Sequence, residues 1–202
     1  MLVRMRTFVI VAHKAVTTPK FSLNDLPGGA GRMDIIARCI NASLFLSHDL
    51  RRDVDTYAVL LGDPSPPVAV RFNGEKVRYL SPDERSAAAL IKKALEKGAP
   101  ATGEEESTPG VYISKRSFAE VVDGLSNIIY LHEDGEDIRK MEMKGDEAYV
   151  LSDHQNLTPE EEAILEKKGA RKASLGKKLY HADHCIVMVN HELDLRSDVK
   201  GE

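Results

Sequence analysis

Cysteine is scarce in this chain: Cys39 and Cys185 are the two thiols among 202 residues. That is too few for a disulfide framework, and it points to a reducing, cytoplasmic setting. Long apolar runs are missing as well. No stretch approaches the roughly 18 residues that a membrane-spanning helix needs. The N-terminal MLVRMRTFVIVAH has charge and an apolar run, but no small-residue cleavage site follows it. It reads as a first β-strand rather than a secretion signal. There is no Walker loop, no dinucleotide fingerprint and no GxSxG elbow, so the common nucleotide and hydrolase signatures fail. No internal repeat is visible.

What is present is ordinary for a globular protein: 42% hydrophobic and 30% charged residues, enough chain for one sizeable core. The net charge of −4 speaks against nucleic acid as a partner, but the average hides a segregation. Between His132 and Glu166 stand twelve acidic residues and three basic ones, whereas Arg4, Arg6, Arg32, Arg38, Arg51 and Arg52 fall in the first quarter. A polyanion would find its surface in that first quarter. A solvated face explains such charge runs equally well.

Strand and helix patterns alternate along the chain. Thr7–Val11 and Tyr57–Gly62 read as buried strands, and the pattern from Arg32 to about Leu46 as a helix with Ile36, Ile40 and Leu44 on one face. VAVRFNGEKVRYL suggests a hairpin turning at Asn73-Gly74. Ser81-Pro82-Asp83-Glu84 predicts a helix start capped by Ser81, running to about Lys97. Residues 99–109 read as a polar loop inserted in a single domain spanning 1–202. Beyond it come the strand VYIS, a helix from about Ser117, the strands NIIYL and AYVLS, and a helix opened by Thr158-Pro159-Glu160-Glu161. The apolar run CIVMV is β-branched, but Ala182, Cys185, Ile186, Val189 and Leu193 continue a helical period, which favours a last helix. The expectation is an α/β fold, a mainly parallel sheet with helices on both faces.

The most conspicuous stretch, SLGKKLYHADHC, places His181, His184 and Cys185 within five residues. Three readings are open: a metal site, a packed helix start, or backbone shaped to hold a small molecule. Zinc needs three or four ligands, and His132, His154 and His191 form no recognised pair with these. PGGAGRMD has the glycines of an anion-cradling turn, but with the spacing of no known phosphate loop. Cys185, at the front of an apolar helix, looks packed rather than activated. In a parallel sheet, however, ligands bind beyond the carboxyl ends of the strands. YLHEDG, VLSDHQ and SLGKKLYHADHC are three such ends and would converge on one crevice.

Those three loops, with GRMDIIARCINASLFLSHDLRRD before them, resemble the archaeal tRNA pseudouridine N1-methyltransferases of the SPOUT superfamily. The resemblance covers nearly the whole chain and is most specific in SLGKKLYHADHCIVMVNHELD and LSDH. It implies a C-terminal deep trefoil knot, a homodimer, S-adenosylmethionine as cofactor with no metal, and methylation of N1 of pseudouridine at nucleotide 54 of the tRNA T loop. The implied cofactor site comprises Leu131, Ser152, Leu175, Gly176, Lys177, Lys178, Leu179 and Cys185. Where the family carries glycine in an LGDH-like turn, this chain has Ser152. For the nucleotide pocket the candidates are Arg32, Arg38, His48 and Arg51 toward RNA, with Asp34 or Asp53 to take the N1 proton. Asp34 and Arg38 are i, i+4 on a helix and can equally pair with each other. Three alternatives stay open: pseudouridine in rRNA as substrate, a non-catalytic RNA-binding module, and a zinc-dependent hydrolase.

Overall fold

A computed structural model describes residues 5–199 of the chain; Arg4 lies outside them. Eight strands form one sheet in the order β4-β5-β3-β2-β1-β7-β6-β8. They are β1 (Arg6–Ala12), β2 (Val54–Leu60), β3 (Val68–Asn73), β4 (Glu104–Thr108), β5 (Val111–Ser114), β6 (Ile128–Asp137), β7 (Ala148–Ser152) and β8 (Arg171–Ser174). Strands β2, β1, β7, β6 and β8 are mutually parallel, and β3, β5 and β4 extend the sheet antiparallel.

Successive side chains of a strand point to opposite faces, and β1 shows the consequence. Phe8, Ile10 and Ala12 enter one buried cluster with α1 (Met33–Leu44), α2 (Glu84–Lys97) and α5 (Ala182–Val199). Val9 and Val11 enter the other with α3 (Phe118–Asp123) and α4 (Pro159–Lys167). Helices therefore cover both faces, as the alternating pattern predicts. On α5 the buried residues Ala182, Ile186, Val189 and Leu193 follow the expected helical period.

Several local expectations are corrected. No hairpin forms at Asn73-Gly74. The antiparallel partners of β3 are β2 and β5, and the chain after Asn73 folds into a turn in which the Val77 amide donates to the Asn73 carbonyl at 2.8 Å. Helix α2 is capped by Asp83, whose Oδ1 accepts from the Ser86 amide at 2.8 Å; Ser81 lies outside the cap. The polar loop 99–109 contains an edge strand, β4, paired to β5 through the Pro109-Gly110 turn. Its sequence, EEEST, has poor strand propensity, and exposed glutamates on an edge protect it from pairing with other chains. Strand β8, four residues long, gave no apolar alternation to read.

Candidate functional site

The parallel strands β7, β6 and β8 end side by side, and the loops beyond them enclose a crevice of about 390 Å³. Its apolar walls include Leu131, Leu151, Leu157, Ala173 and Ala182; Ser152, Asp153, His154 and Lys178 add polar groups. Local chemistry shapes each rim. After β8, the Gly176 amide donates to Ser174 Oγ at 3.2 Å, and that hydroxyl donates back to the Gly176 carbonyl at 3.2 Å. This turn needs a φ of 128° at Gly176, a region closed to most side chains. No atom lies within 4 Å of where a Cβ would stand there, so this crevice-lining position faces open space.

A buried polar network shapes the rim after β7. Asp153 has its amide on the Val11 carbonyl at 3.0 Å and its carboxylate on the His13 and Gln155 amides at 3.1 and 3.0 Å. The His13 ring lies 2.9 Å from Glu161 Oε2 through Nε2, and 3.4 Å from Ser152 Oγ through Nδ1. Glu161 is also the reciprocal partner of Thr158 in the capping box that starts α4. The carboxyl end of β1 thus holds the turn in place. Sequence reasoning placed Glu161 in a helix-start signature and quoted Asp153, but it missed His13, which carried no motif of its own.

Of the implied cofactor residues, Leu131, Ser152, Leu175, Gly176, Lys178, Leu179 and Cys185 line the crevice; Lys177, in the same loop, does not. Burial pushes the Cys185 thiol up to about 11, so it stays protonated and unreactive at neutral pH. Burial and the acceptor Glu162, 2.9 Å away, push the Tyr130 phenol up as well. The His181 and His184 rings meet edge-on with centroids 5.6 Å apart. Among the described residues, no group of three or more His, Cys, Asp or Glu side chains is placed to hold a metal.

The six residues expected in one nucleotide pocket separate into groups. Arg32, Asp34 and Arg38 meet at the start of α1, with Arg32 Nε 3.0 Å and Arg38 Nη1 3.1 Å from the Asp34 carboxylate. Arg38 also reaches Glu84 at 3.2 Å and Asp183 at 3.7 Å, next in sequence to the crevice-lining Ala182. Arg51 and Asp53 lie at the amino end of the sheet, about 20 Å away along seven-residue strands at ~3.3 Å per residue. There Arg51 binds Asp194 at 2.6 Å, Asp53 binds Arg6 at 2.9 Å, and Arg6 reaches Asn190 at 3.1 Å, tying α5 to β1 and β2. His48 sits on an exposed turn. The structure brings neither Asp53, Arg51 nor His48 to the crevice.

Burial alone would raise the Asp34 carboxyl, but the guanidiniums of Arg32 and Arg38 outweigh it and hold the group below its ordinary 3.8. A lowered carboxyl stabilises the fold above the unfolded value, and the contribution is lost as pH falls through the folded one. Asp34→Asn is therefore expected to destabilise the protein by about 1.5–3 kcal/mol at neutral pH. It should also flatten the fall in stability below pH 3.8, as read by urea denaturation across pH.

Residues 5–197 match the model of a family described as "Putative SAM-dependent RNA methyltransferase". A relative from Methanocella arvoryzae, named tRNA (pseudouridine(54)-N(1))-methyltransferase, is 77% identical, covering 95% of this chain and all of that one. A relative of the same name from Methanococcoides burtonii is 55% identical, covering 98% of this chain and all of its own. The crystal structure of Archaeoglobus fulgidus Nep1 bound to S-adenosylhomocysteine superposes with a TM-score of 0.68 at 17% identity, covering 95% of this chain and 98% of that chain.

Proposed function

The chain belongs to the SAM-dependent RNA methyltransferases, in the group of the tRNA (pseudouridine(54)-N(1))-methyltransferases, and we propose on that premise that it methylates N1 of pseudouridine 54 in tRNA. What carries the reading is the crevice formed by three carboxyl-end loops in a chain 77% identical to a protein of that name. The residues fit S-adenosylmethionine: apolar walls, a few polar groups and an open glycine turn in a volume typical of small-molecule sites. When bound, that molecule supplies an electrophilic methyl group on a sulfonium.

Leu131, Ser152, Leu175, Gly176, Leu179 and Cys185 would hold the cofactor, Cys185 by packing rather than thiol chemistry. The chain's other task is to hold pseudouridine N1 in line with the methyl group while the N1 proton leaves. Arg32 and Arg38 stand beside the crevice as ligands for phosphate or a base oxygen. Asp34 acts through them: with both guanidiniums bound and its basicity lowered, it is a positioning residue rather than the proton acceptor. In the same reading the protein is cytoplasmic, uses no metal and works as a homodimer. Val187 and Leu195, half exposed on the outer side of α5, give a second copy an apolar surface to cover. The trefoil knot belongs to this reading too, as the family resemblance implies.

The test is mass spectrometry of RNA after incubation with S-adenosylmethionine. One added methyl group at nucleotide 54 is expected in a tRNA transcript carrying pseudouridine there. Equal transfer to a uridine-54 transcript would overturn the pseudouridine assignment, and transfer to pseudouridine-bearing rRNA fragments alone would move the substrate to rRNA. An absence of cofactor binding would leave a non-catalytic RNA-binding module.

A further inference from the structure

At the amino end of the sheet, away from the crevice, residues 74–80 form a pinned turn between β3 and α2. The Gly74 amide donates to the Val54 carbonyl at 2.8 Å, and the Arg78 amide to the Pro109 carbonyl at 3.2 Å. From this turn Tyr79 projects into solvent, the residue being 76% exposed. Its φ is 62°, a left-handed conformation in which the Cβ of a bulky residue crowds the backbone and glycine does not. The ring has no aromatic, cationic or hydrogen-bonding partner among the described residues, and so little of the residue is covered that packing returns little to offset the strain. Strain kept without a stabilising contact is a pointer to function.

The surroundings say which function. Tyr79 lines an open groove of about 750 Å³ with Arg52, Lys76, Arg78, Glu75 and Glu106. Glu106 is engaged, accepting from the Gly110 amide at 2.8 Å. Arg52 donates to the Gly74 carbonyl at 3.0 Å and pairs with Asp49 at 3.6 Å, while Lys76 and Arg78 form no ion pair among the described residues. The lining thus holds three cations against two carboxylates, and the two cations outside any ion pair, Lys76 and Arg78, stand just before the exposed ring in sequence. Aromatic faces flanked by cations bind unpaired nucleotides: the base stacks and the phosphates meet the cations.

We propose that this groove is a second contact for the RNA substrate, with Tyr79 stacking on an unpaired base and Lys76, Arg78 and Arg52 engaging the neighbouring phosphates. The inference rests on tRNA as substrate. The groove lies about 20 Å along the strands from the crevice, a distance set by ~3.3 Å per strand residue, so the base it takes is not the one that is methylated.

The experiment compares wild type with Tyr79→Gly, Tyr79→Phe and the Lys76→Ala/Arg78→Ala double variant. It measures tRNA binding without cofactor, methylation kinetics and thermal stability. Tyr79→Gly is expected to weaken tRNA binding roughly 5- to 100-fold, the loss falling in KM for tRNA rather than kcat, while its Tm rises because the strain is relieved. Tyr79→Phe keeps the stacking face and should bind as wild type does. The double variant should lower the salt slope of binding by about 1–2. Unchanged tRNA binding by Tyr79→Gly overturns the proposal. Failure of wild type to methylate tRNA would overturn the activity instead, and the binding comparison would still decide the groove.

Discussion

Gly176→Val is expected to cut S-adenosylmethionine affinity on the order of 10- to 100-fold while leaving the protein folded. The glycine sits at a φ of 128°, where a β-branched residue costs about 1–3 kcal/mol of strain, and 1.4 kcal/mol is tenfold in binding. Because no atom lies within 4 Å of a Cβ there, the core does not oppose the substitution. The turn relaxes instead, carrying Leu175 and Leu179 out of place and putting a side chain into open space at the crevice wall. Calorimetry with S-adenosylmethionine, alongside circular dichroism, separates the two effects. Wild-type affinity in a folded Gly176→Val protein would show that the cofactor does not lie against this turn.

Gly135→Ala should act in the opposite way, by lack of space. A Cβ at Gly135 would fall 2.5 Å from the Ala173 backbone carbon and nitrogen and 2.6 Å from the Lys172 carbon. None of these is a flexible side chain, so one segment must move. The expected loss is about 1–3 kcal/mol of stability in urea denaturation, the usual cost of overpacking. Ala173 lines the crevice and β8 leads directly into Gly176, so cofactor affinity should fall with stability. An alanine variant with wild-type stability would mean that the return of β6 onto β8 is looser than its register indicates.

These two glycines show how far the residues themselves could be read. The Leu175-Gly176 turn was visible as punctuation between apolar segments, and its loop could be placed at a strand end. The meaning of Gly135 was not visible: a glycine in an acidic loop has no local feature that announces a backbone 38 positions later in the chain. His13 was missed, and its links to Asp153 and Glu161 were not visible, for the same reason: these hydrogen bonds join positions about 140 residues apart. The acidic edge strand β4 and the short β8 escaped because strand pairing, rather than propensity or periodicity, makes them strands. Tyr79 also looked unremarkable in sequence; its exposure and backbone conformation exist only in the folded chain.

Burial pattern is local. A continuous β-branched apolar run in FVIVA and a period near 3.6 in the last helix suffice to choose a strand buried on both faces and a helix with one buried face, so the sequence by itself determined an α/β protein with helices on both sides of a mainly parallel sheet. Identification of a methyl-donor site came from the resemblance of whole segments, since no side-chain constellation marks it. The partners of the charges were decided only by the tertiary structure. Asp34 took two arginines near the crevice, whereas Asp53 and Arg51 were drawn to Arg6 and Asp194 at the other end of the sheet. Charge attracts at short range regardless of distance along the chain, and which carboxylate comes within reach of which guanidinium is settled only when the strands and helices have packed.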